Sequence, residues 1–264
     1  MNEPGSNPYA PPVAVVNDGE PYQSEGNFIP GGRTVDAGHG ASWIGAGWDS
    51  FKQSPGAWIV MMILFGVIWI ITSLIPLVNL LTLILFPVLG GGIVIACDNQ
   101  RRNGSLNIGD LFAGFQQKFG PLAILGLIAF GLMLLAMIPV VLIMGVSVFS
   151  MFMGGQQPDP AMIATMFGSL GLMFLLIMVA STLMYSALWF APALIVLHDL
   201  SPWDAMKSSF TGCWRNWLGG LIYFILVTLL MFVAMIPLGL GLLVMIPVLW
   251  ASIYGAYRDI YIED

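Results

Sequence analysis

The sequence predicts an all-α membrane protein: six transmembrane helices, arranged as three parallel hairpin repeats, each preceded by an interfacial amphipathic helix. Three observations predict it. Hydrophobic residues make up 58% of the 264 positions and charged residues only 8%, against about 25% charged in soluble domains, so a water-soluble fold would lack polar surface. Apolar runs of about 20 residues recur, the length an α-helix needs to cross the hydrocarbon core. The runs are continuously apolar, without the alternation of a membrane barrel.

The six spans are expected at about 57–75, 79–97, 121–147, 164–197, 217–236 and 240–257. Pro76 and Asn79 separate the first pair, "GGQQPDP" (154–160) the second and "PLGLG" (237–241) the third, each a turn-forming stretch. The eight basic residues (Arg33, Lys52, Arg101, Arg102, Lys118, Lys207, Arg215 and Arg258) all fall on one side of this arrangement. Basic residues stay inside, so both termini are expected in the cytoplasm. No Asp, Glu, Lys, Arg or His lies inside a span, which argues against a proton-coupled pump.

Ahead of the spans, residues 1–42 are rich in Gly, Pro, Asn and Ser and carry five acidic residues against Arg33. No basic stretch leads into an apolar one, so this is not a signal peptide. Its composition predicts a disordered, acidic cytoplasmic tail, repelled by anionic lipid. Residues 43–264 then form the membrane domain. The Pro-rich tail is also a candidate ligand segment for a protein partner.

Three segments align without gaps: "IGAGWDSFKQSPGAW" (44–58), "IGDLFAGFQQKFGPL" (108–122) and "WDAMKSSFTGCWRNW" (203–217). Phe51, Phe115 and Phe210 coincide. Each segment enters a span that reaches Ile75-Pro76, Ile138-Pro139 or Ile236-Pro237. The following helices contain "FPVL" (86–89), "APAL" (191–194) and "IPVL" (246–249) and end at Asp98, Asp199 and Asp259. Four features in one order point to a parallel threefold repeat, unlike the inverted repeats of many transporters. Gly92 and Ala96 match Ser252 and Ala256 by distance from the internal proline, a small-xxx-small spacing that suits close helix packing.

The third surface segment reads as a complete amphipathic helix. Ser201 is the cap, Pro202 the first position, and Asp204 stands three after the cap. Trp203, Met206, Phe210, Trp214 and Trp217 recur on one face; Asp204, Lys207, Ser208, Thr211 and Arg215 fall on the other. In the second copy Asn107 caps and Ile108, Leu111, Phe112, Phe115 and Phe119 form the face. The first copy is weakened by its glycines. Trp48, Trp58, Trp203, Trp214 and Trp217 are expected to sit as anchors at headgroup depth.

Two readings compete for the polar residues. Asp204, Lys207, Cys213 and Arg215 could be an active site, but they do not recur between copies and no base stands beside a nucleophile. The terminal acids do recur: Asp98, Asp199 and Asp259 are expected to form a cytoplasmic polar ring with Arg101, Arg215 and Arg258. Two cysteines (Cys97 and Cys213) and two histidines (His39 and His198) give no metal-ligand spacing. No phosphate-binding loop, HExxH or GxSxG occurs. No catalytic, cofactor-binding or metal-ligating residue is therefore expected, and no cofactor.

The pattern "GWDSFKQSPGAW … FPVLGGG … NIGDLFAGF … APALIVLHDLSPWDAMKSSFTGCWRNW … IPVL … YRDIY" resembles an uncharacterised family of bacterial multi-pass inner-membrane proteins over nearly all of 43–264. It is distantly similar to the membrane domain of some glycerophosphodiester phosphodiesterases. The resemblance implies membrane location and bacterial origin; it carries no chemistry. The expected role is non-enzymatic, organising or modulating the membrane. The alternative is a facilitator or channel for a neutral or lipidic substrate through the bundle centre. A polar, water-wide axis would favour the channel, a dry and packed one the organising role. The lipid bilayer is the expected partner, nucleic acid is not, and the sequence sets no oligomeric state.

Overall fold

A computed structural model describes residues 26–153 and 160–263. Helices α1 (His39–Gln53), α2 (Pro55–Leu74) and α3 (Pro76–Asn103) lead to a 3-10 turn (Ile108–Phe112) and the short α4 (Ala113–Gln117). Then follow α5 (Phe119–Met153), α6 (Pro160–Leu188), α7 (Ala191–His198), α8 (Pro202–Arg215), α9 (Trp217–Met235) and α10 (Leu242–Tyr261). Strands β1 (Asn27–Phe28) and β2 (Ile262–Glu263) pair antiparallel, Asn27 opposite Glu263 and Phe28 opposite Ile262.

The chain is an all-α membrane protein. Among the described residues four stretches are long and apolar enough to cross a membrane: Pro55–Leu74, Phe119–Gly145, Phe167–His198 and Trp217–Met235. Their side chains are mostly exposed, with Leu135, Leu142, Phe174 and Phe232 all facing outward. Such a surface is stable only in hydrocarbon. The C-terminal halves of α3 and α10 behave differently. With α7 they hold the core: Ile93, Ile95, Leu194, Ile195, Tyr257 and Tyr261 are buried there. The core therefore lies toward the ends of the helices that carry the charges, while the outer parts of α5, α6 and α9 stand apolar and bare.

Proline punctuates this framework in two ways. Pro87 and Pro247 lie inside α3 and α10. At Pro192 the break is complete, because α6 stops at Leu188 and α7 begins at Ala191. Ser209 of α8 fills the gap: its hydroxyl donates to the Ser186 carbonyl (2.8 Å) and accepts from the Phe190 N–H (3.0 Å). One side chain thus inserts into the helical ladder and satisfies both freed groups. At the other ends, α3 stops where Gly104 adopts φ 74°, its N–H bonded to the Gln100 carbonyl, and α7 stops at Asp199 with φ 55°.

The surface segments pack in a regular way. Helix α1 lies on α9 and α10, the 3-10 turn and α4 on α3, and α8 on α6 and α7. The contacts reach backbone distance. A Cβ on Gly92 of α3 would come within 2.1 Å of the Leu111 carbonyl, one on Gly114 of α4 within 2.1 Å of the Val88 carbonyl, and one on Gly47 of α1 within 2.4 Å of the Val248 carbonyl. Gly47, one of the glycines expected to weaken the first copy, helps to seat it, and α1 is a continuous 15-residue helix. The second copy is the broken one, split into a 3-10 turn and five residues of α-helix. Asn107 caps it as read from the sequence: its Oδ1 accepts from the Gly109 N–H (3.0 Å) and its carbonyl from the Asp110 N–H (3.1 Å).

The expected tail boundary at residue 42 is too late. Residues 26–42 are built into the body: Ile29 N–H donates to the Tyr261 carbonyl and Arg33 N–H to the Ile260 carbonyl, both at 2.8 Å, and α1 starts at His39. Composition marked this stretch as polar, but its backbone groups find partners on the end of α10. Residues 1–25 of the expected tail, and most of "GGQQPDP", lie outside the described residues.

Replacing Gly92 by Ala is expected to destabilise the fold by about 1–3 kcal/mol, the usual cost of overpacking. Gly131→Ala, where a Cβ meets nothing within 4 Å, is expected to be neutral or slightly stabilising. Unfolding in detergent micelles reads both; equal stability of the two variants would contradict the backbone contact.

Candidate functional site

The terminal acids sit where the helices leave the core, and each is held by different partners. Asp98 is fully buried. It accepts from Arg102 Nε (2.6 Å) and from the Tyr254 hydroxyl, while Arg101 stands 3.7 Å away and donates to Tyr254 at 3.3 Å. This ties α3 to α10. Asp259 is bound by His39 Nδ1 and Trp43 Nε1, both at 2.7 Å, with Arg33 at 3.6 Å. This ties α10 to α1. Asp199, half exposed, pairs with Lys118 at the start of α5. Next to it His198 bonds Tyr257 and lies under Phe28, ring centroids 3.9 Å apart.

Of the residues expected beside these acids, Arg101 stands in the ion-pair set of Asp98. Arg215 donates instead to the Gly32 carbonyl at 2.7 Å. Arg258 precedes Asp259 on α10. The third surface segment, with its cap at Ser201, is thus a seat for the segment before α1. Asn216 donates to the Arg33 carbonyl (2.9 Å) and accepts from the Val35 N–H (2.8 Å), reproducing one step of strand pairing. Ser208 accepts from the Gly31 N–H at 3.2 Å. Ser201 accepts from the Asp204 N–H at 3.2 Å, the cap read from the sequence.

The buried stripe of α8 is Ala205, Met206, Ser209 and Gly212. Small residues face the protein, and Trp203, Phe210, Trp214 and Trp217 point outward. With Trp48 they form an exposed aromatic set suited to a membrane interface. Trp58 does not belong to it. It is fully enclosed and donates to Gln100 Oε1 at 3.1 Å. Gln100 also accepts from the Ser50 hydroxyl (2.7 Å) and donates to the Ser50 carbonyl (2.8 Å). Sequence reading missed Gln100, Asn216, Ser209 and His39. Gln100 follows Asp98 by two, and Asn216 lies at a helix junction, but nothing local marks either as a bridge.

Chemically these groups hold the fold. The Cys213 thiol is pushed up to about 12 by burial, which the Ser209 hydrogen bond only partly opposes, so it is a poor nucleophile at neutral pH. Among the described residues no group of His, Cys, Asp and Glu is placed to hold a metal ion.

No family model matches the chain, and no solved structure matches it. It is 26% identical over 253 residues to a probable inner membrane protein of Burkholderia thailandensis, a match that covers 86% of this chain and 92% of that protein. Nothing in these comparisons extends to the phosphodiesterase-linked membrane domain. Over most of its length the chain is thus similar to a probable inner membrane protein of a bacterium.

Two predictions follow from the geometry. Asp98→Asn, which strands Arg101 and Arg102 against a buried neutral amide, is expected to cost about 3–5 kcal/mol; Asp199→Asn, at an exposed pair, should cost no more than about 1 kcal/mol. Chemical denaturation in micelles ranks them. Cys213 is expected to resist iodoacetamide at pH 8 in the folded protein and to react once it unfolds; rapid labelling of the native protein would show an activated thiol.

Proposed function

We propose that the chain is a non-enzymatic protein of a bacterial inner membrane that organises or modulates the bilayer around it. It would span six times as three parallel hairpins with both termini in the cytoplasm. The observation that carries the reading is the packing of the core at the charge-bearing ends of the helices. Where the three hairpins meet, α3, α7 and α10 bury aliphatic and aromatic side chains against one another. Their polar members, Asp98, Gln100 and Ser252, are fully bonded within the protein. A solute path needs polar groups left for the solute.

The docking pattern supports the repeat. Each surface helix lies on the hairpin before it: α4 of the second unit on α3 of the first, α8 of the third on α6 and α7 of the second, and α1 of the first on α10 of the third. That is a closed cycle. Two of the three seams also share a register. Gly92 and Ser252, each five residues after the internal proline, meet Leu111 and Gly47, each four residues before the aligned phenylalanine. The relative from Burkholderia thailandensis and the outward-facing tryptophans support the membrane location.

Proteoliposomes holding the purified chain are expected to show no flux of neutral solutes above empty vesicles; solute-selective flux would favour the channel instead. A Gln156→Cys variant lacking Cys97 and Cys213 should label from the outside of intact inner-membrane cells. Labelling of residue 156 from the cytoplasm alone would reverse the topology.

A further inference from the structure

A lateral cavity of about 240 Å³ opens between α2, α3 and the second surface segment, lined by Ile68 and Thr72, Thr82 and Leu85, and Phe112 and Phe115. We propose that it is a binding site for one acyl chain of a bilayer lipid. The inference rests on the reading of α2 and α3 as lipid-immersed helices.

The cavity exists because of the packing on one side of it. Gly92 and Gly114 bring the 3-10 turn and α4 into backbone contact with α3. Phe112 and Phe115 of that segment line the space beside α2. Its walls make no polar demand. Thr72 Oγ1 donates to the Ile68 and Trp69 carbonyls (2.9 and 3.0 Å), and Thr82 Oγ1 to the Val78 carbonyl (3.1 Å). The hydroxyls are thus engaged by their own helices. A buried water needs two to four polar partners, and a charged or hydrogen-bonding ligand would lose its hydration with no replacement. The other polar lining side chain is Gln116, which is exposed.

The occupant follows from what the cavity adjoins. Phe112 and Phe115 of its own wall are exposed, as are Val67, Ile71 and Phe86, the chain neighbours of lining residues Ile68, Thr72 and Leu85, so among the described residues the lining adjoins the apolar outer surface. The volume holds roughly eight water-sized groups at ~30 Å³ each, a segment of hydrocarbon chain and not a whole lipid. A chain drawn in from the adjacent leaflet leaves its headgroup beside Gln116 and the surface helix.

The test uses the full chain in vesicles of phosphatidylethanolamine and phosphatidylglycerol doped with a phospholipid that carries a diazirine on its acyl chain. After irradiation, adducts are mapped by peptide mass spectrometry. The expected result is denser labelling on the peptides with Ile68 and Phe115 than on the peptide with Phe224 and Phe232, which are exposed on α9. Leu85→Trp fills the space and should reduce that labelling to the α9 level, leaving α9 unchanged. Thr82→Leu narrows the same space should the larger residue prevent folding. Labelling no denser than on α9, labelling that filling leaves untouched, or labelling by a water-soluble diazirine in its place would each overturn the proposal. Solute flux measured on the same vesicles would sink the organising role while leaving the adduct pattern as it stands, so the two failures are distinguishable.

Discussion

Backbone-to-backbone docking of the surface segments on the kinked helices is the constraint on which the rest depends. Between helices in lipid there is no hydrophobic drive to associate, since acyl chains are as apolar as leucine. Close approach and hydrogen bonds must do the work. Gly92, Gly114 and Gly47 permit that approach at three places. Once the segments are seated, they close the core end, present their tryptophans outward, and leave the apolar cavity beside α2.

The polar groups obey the same logic from the other direction. In and near a dry core each donor and acceptor must be matched. Asp98 with Arg102 and Tyr254, Gln100 with Trp58 and Ser50, and Asp259 with His39 and Trp43 are three such settlements, and each joins helices distant in sequence. They explain how an 8% charged chain spends its few polar side chains: on fixing which helix end meets which. Ser209 does the same for a broken helix, supplying the two bonds that Pro192 and its neighbours interrupt.

Helix positions were legible because hydrophobic length and turn residues are local signals. The aligned phenylalanines and the Ser201 cap were readable for the same reason. The protein-facing stripe of α8 was not. An amphipathic pattern shows that two faces differ, and in a membrane the apolar face turns to lipid while the small one, Ala205, Ser209 and Gly212, turns to protein. The interior position of Trp58 escaped for a related reason. A tryptophan at a span end is an interfacial residue unless a distant group such as Gln100 takes its N–H.

By itself the sequence determined an all-α membrane protein, the order of its apolar segments and their spacing around proline, since these follow from composition and periodicity along one stretch of chain. Tertiary structure decided that residues 26–42 belong to the body, that Asp98 is buried while Asp199 is half exposed, and that Gly40 and Gly47 of α1 are contacts and not breaks. Each of those depends on a partner far away in the chain, as Asn216 does on Arg33 and Val35. No local pattern encodes the distance at which two backbones will meet.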